Sequence, residues 1–296
     1  MPVDFQIPSG ATLSEIAATA EQAGVPINKT QFIALAKYRK VAKSLKAGRY
    51  RFAAGKNVGE ILQDMLNGKV AAEKISIIEG TTFAKLRIQL AQDNRFAHTL
   101  TTMDDVSLKR EIDTSFERLE GLFLPETYFF ENETADVDIL RRAHNLLKKI
   151  LDNAWRKRNA DVPFQNAYEA LILASIVEKE TGAADERGLI ASVFINRLKK
   201  GIPLQADPTV IYGLGERFKG NITRSHLRED TPYNTYTRRG LPPGPIALVG
   251  KAAIEAVLNP PKTDYYYFVA TGDGRHVFSK TLREHNNAVN RYQRKK

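Results

Sequence analysis

The sequence predicts an α+β fold made of a small N-terminal subdomain and a larger mixed α/β domain. Three observations support this fold class. Strand-like segments, each followed by a glycine turn and an amphipathic helix, recur in the first hundred residues. Helical patterns dominate the middle of the chain. Two short strand patterns flank a Thr-Gly-Asp-Gly turn near its end, which is typical of a β-hairpin.

The first hundred residues contain three strand–turn–helix units. Capping boxes mark two of the helix starts, at Thr12 and at Asn57. The turn glycines are 45 and 25 residues apart, and this unequal spacing excludes a solenoid. We therefore expect compact α+β units and divide the chain into domains of residues 1–70 and 71–296.

Helical patterns and two irregular segments follow. Helical periodicity covers residues 105–160, apart from an interruption rich in aromatic residues at 120–130, and returns at 167–181 and 186–200. Residues 201–250 are rich in Pro, Gly, Tyr, Thr and Asn. We expect this last segment to lack regular structure, and long loops of that kind are usually functional.

The end of the chain predicts a hairpin and a helix. Residues 265–270 and 276–279 have strand patterns on either side of the turn. A capping box of Thr281 and Glu284 then predicts the start of a final helix.

Composition excludes several classes of protein. The chain has 296 residues, a net charge of +10 and no cysteine, so disulfides, thiolate catalysis and the usual structural zinc sites are excluded. The five histidines have no metal-ligand spacing, and the common nucleotide and serine-hydrolase motifs are absent, so we expect neither metal nor cofactor. We interpret the basic clusters 197–200 and 291–296 as solvated surface and expect no nucleic-acid partner.

Two carboxylates end an unusually apolar helical segment. Apolar residues from Leu171 to Val177 cover nearly the whole helix circumference, which predicts a buried helix, and Glu178 and Glu180 follow directly. Partial burial would raise the pKa of such a carboxyl toward the range of a proton donor near neutral pH. A solvated helix end is the alternative. The two residues lie about 200° apart on a helix, and periodicity does not choose between them.

The irregular segment downstream has the composition of a sugar-binding groove. Tyr side chains stack on sugar rings, while Asn, Gln, Thr and Asp bind hydroxyl and amide groups. Ordinary turn chemistry explains most of its Pro and Gly. Both interpretations remain open from the residue types alone. The stretches concerned are Leu204–Gly213, Thr231–Tyr236 and Gly240–Pro245.

These motifs together resemble a known family. The chain is similar to the endolytic murein transglycosylases, the MltG or YceG-like family, over nearly its whole length. The resemblance rests on long motifs in a fixed order, which are much more specific than a single short pattern. They are Gly48–Phe52, Glu120–Tyr128, Ala174–Thr181, Glu186-Arg187, Ala191–Leu198, Leu204–Gly213, Thr231–Thr237, Gly240–Gly244, Tyr267–Val269 and His285-Asn286.

The resemblance implies an architecture and a location. We expect a LysM-like N-terminal subdomain followed by a catalytic domain that contains a buried catalytic helix and the C-terminal β-hairpin. The family also implies a single-pass anchor in the bacterial cytoplasmic (inner) membrane, with the catalytic domain on its periplasmic or outer face. No apolar run in this sequence is long enough for that anchor, and we expect it to have been trimmed from the chain.

The family motif assigns the catalytic acid to its second glutamate, Glu180. The implied substrate is the peptidoglycan glycan strand, cleaved within the strand at the β-1,4 bond between N-acetylmuramic acid and N-acetylglucosamine to leave a 1,6-anhydro end. The family suggests peptidoglycan synthases as partners and termination of nascent strands as the outcome. Glu178 is expected to support the site, and an ion pair is one form that this support could take. Candidates for orienting substrate are Asn196, Gln205, Asp207, Tyr233, Asn234 and Tyr236, with Glu126 as a further carboxylate.

Two alternative functions use the same features. A non-catalytic peptidoglycan-binding scaffold would need only the LysM-like start and the aromatic-polar groove. A muramidase would hydrolyse the same bond and leave a reducing end one water heavier.

Overall fold

The structure, a computed structural model, describes residues 3–8, 10–68 and 73–293. The chain divides into two compact units. The first consists of Met1–Ile75, Asn94–Ala97 and Thr127–Ala135, and the second contains the rest. Helices and small two-stranded sheets occur together, so the predicted α+β class is confirmed. The predicted boundary between residues 70 and 71 lies outside the described residues.

In the residues that the structure describes, the first unit is built from short strands and three helices. Strands β1 and β2 pair antiparallel, with Phe5 opposite Tyr50, and β4 pairs parallel with β6. Strand β3 pairs with β5. The elements are β1 (Val3–Ile7), α1 (Leu13–Gln22), α2 (Lys29–Tyr38), β2 (Gly48–Phe52), α3 (Val58–Asn67), β3 (Glu73–Ser76), β4 (Phe96–Ala97), β5 (Thr127–Phe130) and β6 (Thr134–Ala135).

The core of this unit lies between the paired strands β1 and β2 and the helices. Alternate strand residues such as Phe5 and Phe52 are buried, as period-two strands require, and they pack with helical residues such as Phe32 and Leu62. Both predicted capping boxes, at Thr12 and Asn57, are present. Helix α2 has a plain Asn28 cap and was not predicted. The LysM-like identity of this region stays a prediction.

The second unit is mainly helical. Strands β7 and β8 pair antiparallel, which confirms the predicted hairpin, and Thr281 caps the predicted last helix. The elements are α4 (Phe83–Ala91), α5 (Asp105–Glu111), α6 (Asp136–Arg156), α7 (Ala167–Glu180), α8 (Arg187–Lys199), α9 (Asp207–Leu214), α10 (Arg224–Arg228), α11 (Lys251–Leu258), β7 (Tyr267–Ala270), β8 (His276–Ser279) and α12 (Leu282–Tyr292).

The irregular segment 201–250 differs from the prediction because it contains α9 and α10. Pro208 lies in the first turn of α9, where its missing N–H costs no hydrogen bond. Thr223 forms a capping box at the start of α10, with His226 in place of the usual acid. Both helices are short, and their periodicity is too brief to stand out among the turn residues.

Helix α7 is the centre of the second unit. It packs against α6, α8, α9 and α11, so every face of its middle turns is covered. Residues 170–177 are all buried, which confirms the predicted buried helix. Within the described ranges of the chain, no helix combines the length and apolar character needed to cross a membrane.

Candidate active site

The end of α7 carries both candidate carboxylates. The helix starts at the Asn166 cap, whose side chain accepts the Glu169 N–H, and Thr181 ends it in extended backbone. Inside the helix, the buried Ser175 hydroxyl accepts the Ile246 N–H at 3.0 Å and so ties α7 to the segment before α11. The last turn of α7 is therefore held in place on a rigid, buried support.

Glu178 points to the start of α11. Its Oε2 accepts the backbone N–H of Gly250, the residue that precedes α11, at 2.9 Å. Burial raises the pKa of Glu178, and Glu79 adds to the rise, while the Gly250 hydrogen bond opposes it. Glu178 forms no ion pair with any residue that the structure describes. Glu178 anchors α7 to α11 through its hydrogen bond to a backbone N–H. The ion pair was one expectation from the sequence, and the hydrogen bond takes its place.

Glu180 is the last residue of α7, and its environment is different. Its side chain is partly exposed and has no hydrogen-bond or ion-pair partner among the described residues. Burial raises the pKa of Glu180 to about 8, and the negative charge of Asp207 contributes to the rise. At neutral pH the group is therefore mostly a protonated, unengaged carboxylic acid, which is what a general acid needs to be.

Asp207 and Tyr236 form the neighbouring polar pair. Asp207 is the first residue of α9 and is exposed, and its Oδ1 accepts a hydrogen bond from the Tyr236 hydroxyl. Burial raises the pKa of Tyr236, with the Asp207 hydrogen bond next in effect, so the phenol keeps its proton. The charges of both Asp207 and Glu180 act on Tyr236, and the structure thus brings three of the predicted site residues together.

Arg197 corrects one prediction from the sequence. The basic cluster that contains it was interpreted as solvated surface, yet Arg197 is only 8% exposed. Its Nε donates to Tyr266 O at 2.6 Å, and its Nη1 donates to Leu204 O at 2.8 Å. The helical phase of Arg197, one turn after buried Val193 and Phe194, is the sequence signal that could have found it.

Gln205 is held by the same guanidinium. Its Oε1 accepts from Arg197 Nη1 at 3.3 Å, and its own N–H donates to Thr235 O at 3.1 Å. Its φ of 54° is left-handed, a strained conformation for a residue other than glycine. The side chain is exposed two residues before Asp207, so both predicted residues lie at the start of α9.

The loop that follows α10 is held by Asn234. This side chain is 1% exposed, and its Nδ2 donates to the carbonyl of Glu229 at 2.7 Å and to those of His226 and Leu227 at 3.2 Å. Its Oδ1 accepts the Tyr236 N–H at 2.9 Å. These contacts give Asn234 a positioning role for Tyr236, and direct contact with substrate stays a prediction.

The side-chain amide of Asn196 also donates to backbone carbonyls. Its Nδ2 donates to Thr263 O and Tyr265 O, both at 2.9 Å, which ties α8 to the segment that leads into β7. Tyr233 is 8% exposed, and the Arg118 guanidinium lies 5.8 Å from the centroid of its ring. Its ring lies against Tyr212, with centroids 4.7 Å apart. Glu126 is an exposed residue of the 120–130 segment, and no role in the site is visible for it.

Glu120 was missed by the sequence analysis. It is a buried carboxylate whose Oε1 accepts the Phe83 N–H at 2.9 Å, while Oε2 accepts from the Tyr212 hydroxyl at 3.3 Å. Burial raises its pKa. Its position inside the apolar run Leu119–Leu124 was the sequence signal that could have found it.

Across the part of the chain that the structure describes, no three His, Asp or Glu side chains are placed to hold a metal ion.

Comparison with known proteins decides the family. The model of the YceG-like family matches residues 5–291. The chain belongs to the YceG-like family. This result confirms the resemblance drawn from the motifs.

Proteins with a named activity are similar to this chain over almost its entire length. An endolytic murein transglycosylase of Bacillus subtilis is 34% identical, over 98% of this chain and 84% of that protein. One from Streptococcus pneumoniae is 28% identical over 97% of this chain, which spans only 58% of that longer protein. A crystal structure of a YceG-like protein from Listeria monocytogenes shares 34% identity, with a TM-score of 0.59 and coverage of 97% of this chain and 99% of the other.

Proposed function

We propose that this YceG-like chain is an endolytic peptidoglycan lytic transglycosylase. The observation that carries the proposal is Glu180, a carboxylic acid with a pKa of about 8 that has no partner among the described residues and ends a rigid helix. A group of this kind is suited to donate a proton to a glycosidic oxygen at neutral pH. The endolytic murein transglycosylases to which the chain is similar act on the corresponding polymer.

The reaction begins with Glu180 as the acid. Its proton goes to the oxygen of the β-1,4 bond between N-acetylmuramic acid and N-acetylglucosamine, and the bond from that oxygen to the muramyl C1 breaks. The muramyl ring passes through an oxocarbenium-like state. The charge of Asp207, which already acts on Glu180, has the sign that stabilises this positive charge.

The reaction ends with Glu180 as the base. Its carboxylate takes the proton from the C6 hydroxyl of the same muramyl ring, and the C6 oxygen closes on C1 to form the 1,6-anhydro end. The carboxyl group is thereby returned to its protonated state, so one residue serves both steps. Partial burial of the site disfavours attack by water.

Substrate contacts are proposed for the polar residues around the start of α9. Gln205, Asp207 and Tyr236 present exposed or half-exposed polar groups at the start of α9. Asn196, Tyr233 and Asn234 are proposed to act behind them, since the first and last have their amides committed to backbone carbonyls. Cleavage within strands outside the cytoplasm would end the elongation of nascent glycan chains made by peptidoglycan synthases.

A muramidase is the second candidate, and Asp207 is the observation that favours it. Two neighbouring carboxyl groups are the usual equipment of glycoside hydrolases, in which the second activates water or acts as nucleophile. Mass spectrometry of the released muropeptides separates the two reactions. Anhydro ends support the lytic reaction, whereas reducing ends heavier by one water would replace it with hydrolysis.

The decisive variant is Glu180→Gln, with Glu178→Gln as its matched control. Glutamine keeps the size of Glu180 and removes its proton transfer, so the release of anhydro-muropeptides from purified sacculi should fall by at least about a thousandfold. Glu178→Gln retains an oxygen that can accept the Gly250 N–H, and most activity should remain.

Binding to sacculi provides the third measurement. If Glu180→Gln and the unmodified protein both bind sacculi and neither releases product, the chain is a binding scaffold. If Glu178→Gln is the inactive variant, the acid is assigned to the wrong residue.

A further inference from the structure

A buried cation without an anionic partner lies beside the candidate active site. Arg197 is 8% exposed, and it forms an ion pair with no carboxylate of the described residues. The oxygens that accept hydrogen bonds from its Nε and Nη1 are all neutral. They belong to the backbone of Pro203, Leu204 and Tyr266 and to the side-chain amide of Gln205. An arginine is rarely buried this deeply without a counter-ion, because neutral acceptors satisfy its donors but leave its charge uncompensated.

The surroundings of Arg197 do not supply the missing negative charge. Burial lowers the pKa of Arg197, and the groups that oppose this effect are the phenols of Tyr267 and Tyr236, with no carboxylate of the described residues among them. Arg197 lies in the last turn of α8 together with Lys199. The helix dipole favours cations there, but it is equivalent to only about half a negative charge. A net positive charge therefore remains in the protein at this point.

One edge of the guanidinium is left for a ligand. The Nη2 atom donates to none of the described residues. It is not one of the buried polar atoms that lack a partner, so it is accessible from the surface. The neighbouring Gln205, whose Oε1 accepts from Nη1, is itself an exposed residue. An anionic group can thus approach Arg197 from solvent without any rearrangement of the carbonyls that hold it.

Aromatic rings surround this edge. The Arg197 Cζ lies 5.1 Å from the centroid of the Tyr267 ring, which in turn stacks on His285 with centroids 5.2 Å apart. Burial and the charge of Arg197 lower the pKa of His285, so its ring is neutral at neutral pH and the cluster carries a single positive charge. The Nδ1 atom of His285 is buried and has no hydrogen-bond partner among the described residues. The cluster therefore contains a second polar group whose hydrogen bonding is incomplete.

The cluster is next to the proposed acid. The negative charges of Asp207 and Glu180 act on the phenol of Tyr236. The positive charge of Arg197 acts on the same phenol. In addition, Gln205 lies only two residues before Asp207. A substrate whose glycosidic bond reaches Glu180 therefore presents its neighbouring substituents to Arg197.

We propose that Arg197 binds a carboxylate of the peptide that is attached to the muramyl unit of the substrate. The inference rests on the proposed function, because it takes the glycan strand as the ligand. A carboxylate accepts hydrogen bonds from a guanidinium and supplies the one negative charge that this cation lacks. The peptide is joined to the lactyl group of the sugar that is cleaved, and each of its residues spans about 3.5 Å when extended, so its carboxylates can reach a group beside Glu180.

A phosphate group fits the cluster less well. Phosphate carries up to two negative charges and is usually bound by several cations or by the backbone N–H groups of a helix N-terminus. Arg197 is near the C-terminal end of α8, and His285 adds no charge. One cation matches one carboxylate.

Calorimetric binding of modified strands to the Glu180→Gln protein tests the proposal without turnover. Three short uncrosslinked strands are compared: one with its natural peptides, one whose peptide carboxylates are converted to amides, and one whose peptides are removed so that the lactyl carboxylate is left. The natural strand should bind at least about tenfold more tightly than either of the others. Equal affinity for the amidated strand overturns the proposal. Equal affinity for the peptide-free strand overturns the assignment to the peptide in favour of the lactyl carboxylate.

Arg197→Gln in the same background connects the preference to Arg197. This variant should bind the natural and amidated strands equally, whereas a general loosening of the fold would weaken both by the same factor and keep the preference. A preference that persists in Arg197→Gln contradicts the proposal. If this variant shows no thermal unfolding transition, Arg197→Lys takes its place: it keeps the charge, loses the planar fork of donors, and should reduce the preference without abolishing it.

Lys199→Gln is the matched control. It removes the same charge from an exposed residue of the same helical turn, and it should keep the full preference for the natural strand. An equal loss of preference in Lys199→Gln would mean that the overall charge of the protein, and not the Arg197 contact, selects the strand.

Turnover separates this inference from the proposed reaction. With Glu180 intact, the natural strand should have a KM about tenfold lower than that of the amidated strand at a similar kcat, because the contact is made equally before and during the reaction. Equal KM values with anhydro products would overturn the carboxylate contact and leave the reaction standing. A binding preference for the natural strand without any released product would overturn the reaction and leave the contact standing.

Discussion

Two effects of different kinds raise the pKa of Glu180. Surrounding protein atoms exclude water and penalise the charged form, and Asp207 adds a negative charge. The absence of any hydrogen bond to Glu180 among the described residues leaves both effects unopposed. Glu178, two residues earlier, is also partly buried but accepts the Gly250 N–H, which works against its shift. The backbone hydrogen bond therefore distinguishes the anchoring carboxylate, Glu178, from the proposed acid, Glu180.

The pKa of Glu180 predicts how stability changes with pH. Unfolding returns the group from a pKa of about 8 to its ordinary 4.5. Between these values the folded protein keeps a proton that the unfolded chain has lost, so this contribution to stability falls as the pH rises and levels off above pH 8. Glu180→Gln cannot ionise. In urea unfolding, the free energy of unfolding of this variant should rise by a few kcal/mol relative to that of the unmodified protein between pH 5 and pH 8. If the free energies of the two proteins change in parallel over this range, the raised pKa of Glu180 is contradicted.

Asp207 should control the alkaline side of the activity profile. Asp207→Asn removes a negative charge that raises the pKa of Glu180, so Glu180 should ionise at lower pH and kcat/KM should decline roughly one pH unit earlier. Tyr236→Phe is the control, because it removes the hydrogen bond to Asp207 and keeps the charge. Equal alkaline shifts in the two variants would show that the hydrogen bond, and not the charge, sets the profile.

At the residue scale, the helical pattern of the sequence identified both candidate carboxylates but did not assign a different role to each. Helical phase placed Glu178 and Glu180 on different sides of α7, and only the family motif selected Glu180. The residues that give the two carboxylates different environments, Gly250 and Asp207, lie 72 and 27 residues away in the chain. Arg197 was misjudged because residue type was given more weight than helical phase. A guanidinium can be buried when backbone carbonyls accept its hydrogen bonds, as those of Tyr266 and Leu204 do here.

At the scale of elements, the loop that carries Glu120 depends on a close approach at Gly121. Its φ is +79°, and a Cβ there would lie 2.4 Å from Pro245 Cβ and 2.6 Å from Pro245 Cγ. Gly121→Ala therefore combines a left-handed backbone with a clash against a rigid ring. We expect it to lower the free energy of unfolding by about 2–4 kcal/mol.

Gly182→Ala is the control for that experiment. Nothing lies within 4 Å of a Cβ built at Gly182, and its φ is not left-handed. Urea unfolding of this variant should match the unmodified protein. A similarly small effect of Gly121→Ala would mean that the loop around Glu120 moves aside easily and does not hold Tyr212 in place.

Elements with strong local signals were predicted well. The capping boxes at Thr12, Asn57 and Thr281 all begin helices, because the cap and the third residue satisfy each other's backbone N–H groups without help from the rest of the fold. Helices α9 and α10 were not predicted. Their stability comes from tertiary contacts, such as the Asn234 amide that binds the carbonyls at the end of α10, and such contacts leave no periodic pattern in the sequence.

At the scale of the whole molecule, the first unit contains a hydrophobic cluster whose buried residues all lie between Phe5 and Met65. We therefore expect a fragment of residues 1–72 to fold and to unfold cooperatively, with a stability of a few kcal/mol. Phe32→Ala removes a fully buried ring and should abolish the transition, since such a change costs about 3–5 kcal/mol. Tyr38→Ala changes a side chain that is 86% exposed, so the unfolding transition should remain. A fragment without a thermal transition would contradict an independent core.

The last turn of α7 has a consequence for how this protein tolerates changes in length. One carboxylate of that turn holds the start of α11, and the other lies within the field of Asp207. Deleting a single residue upstream in α7 would keep every functional group of the chain yet rotate both carboxylates by about 100° around the helix axis. The proposed active site thus depends on helical phase as much as on residue identity, and we expect an insertion or deletion there to be as damaging as the loss of Glu180 itself.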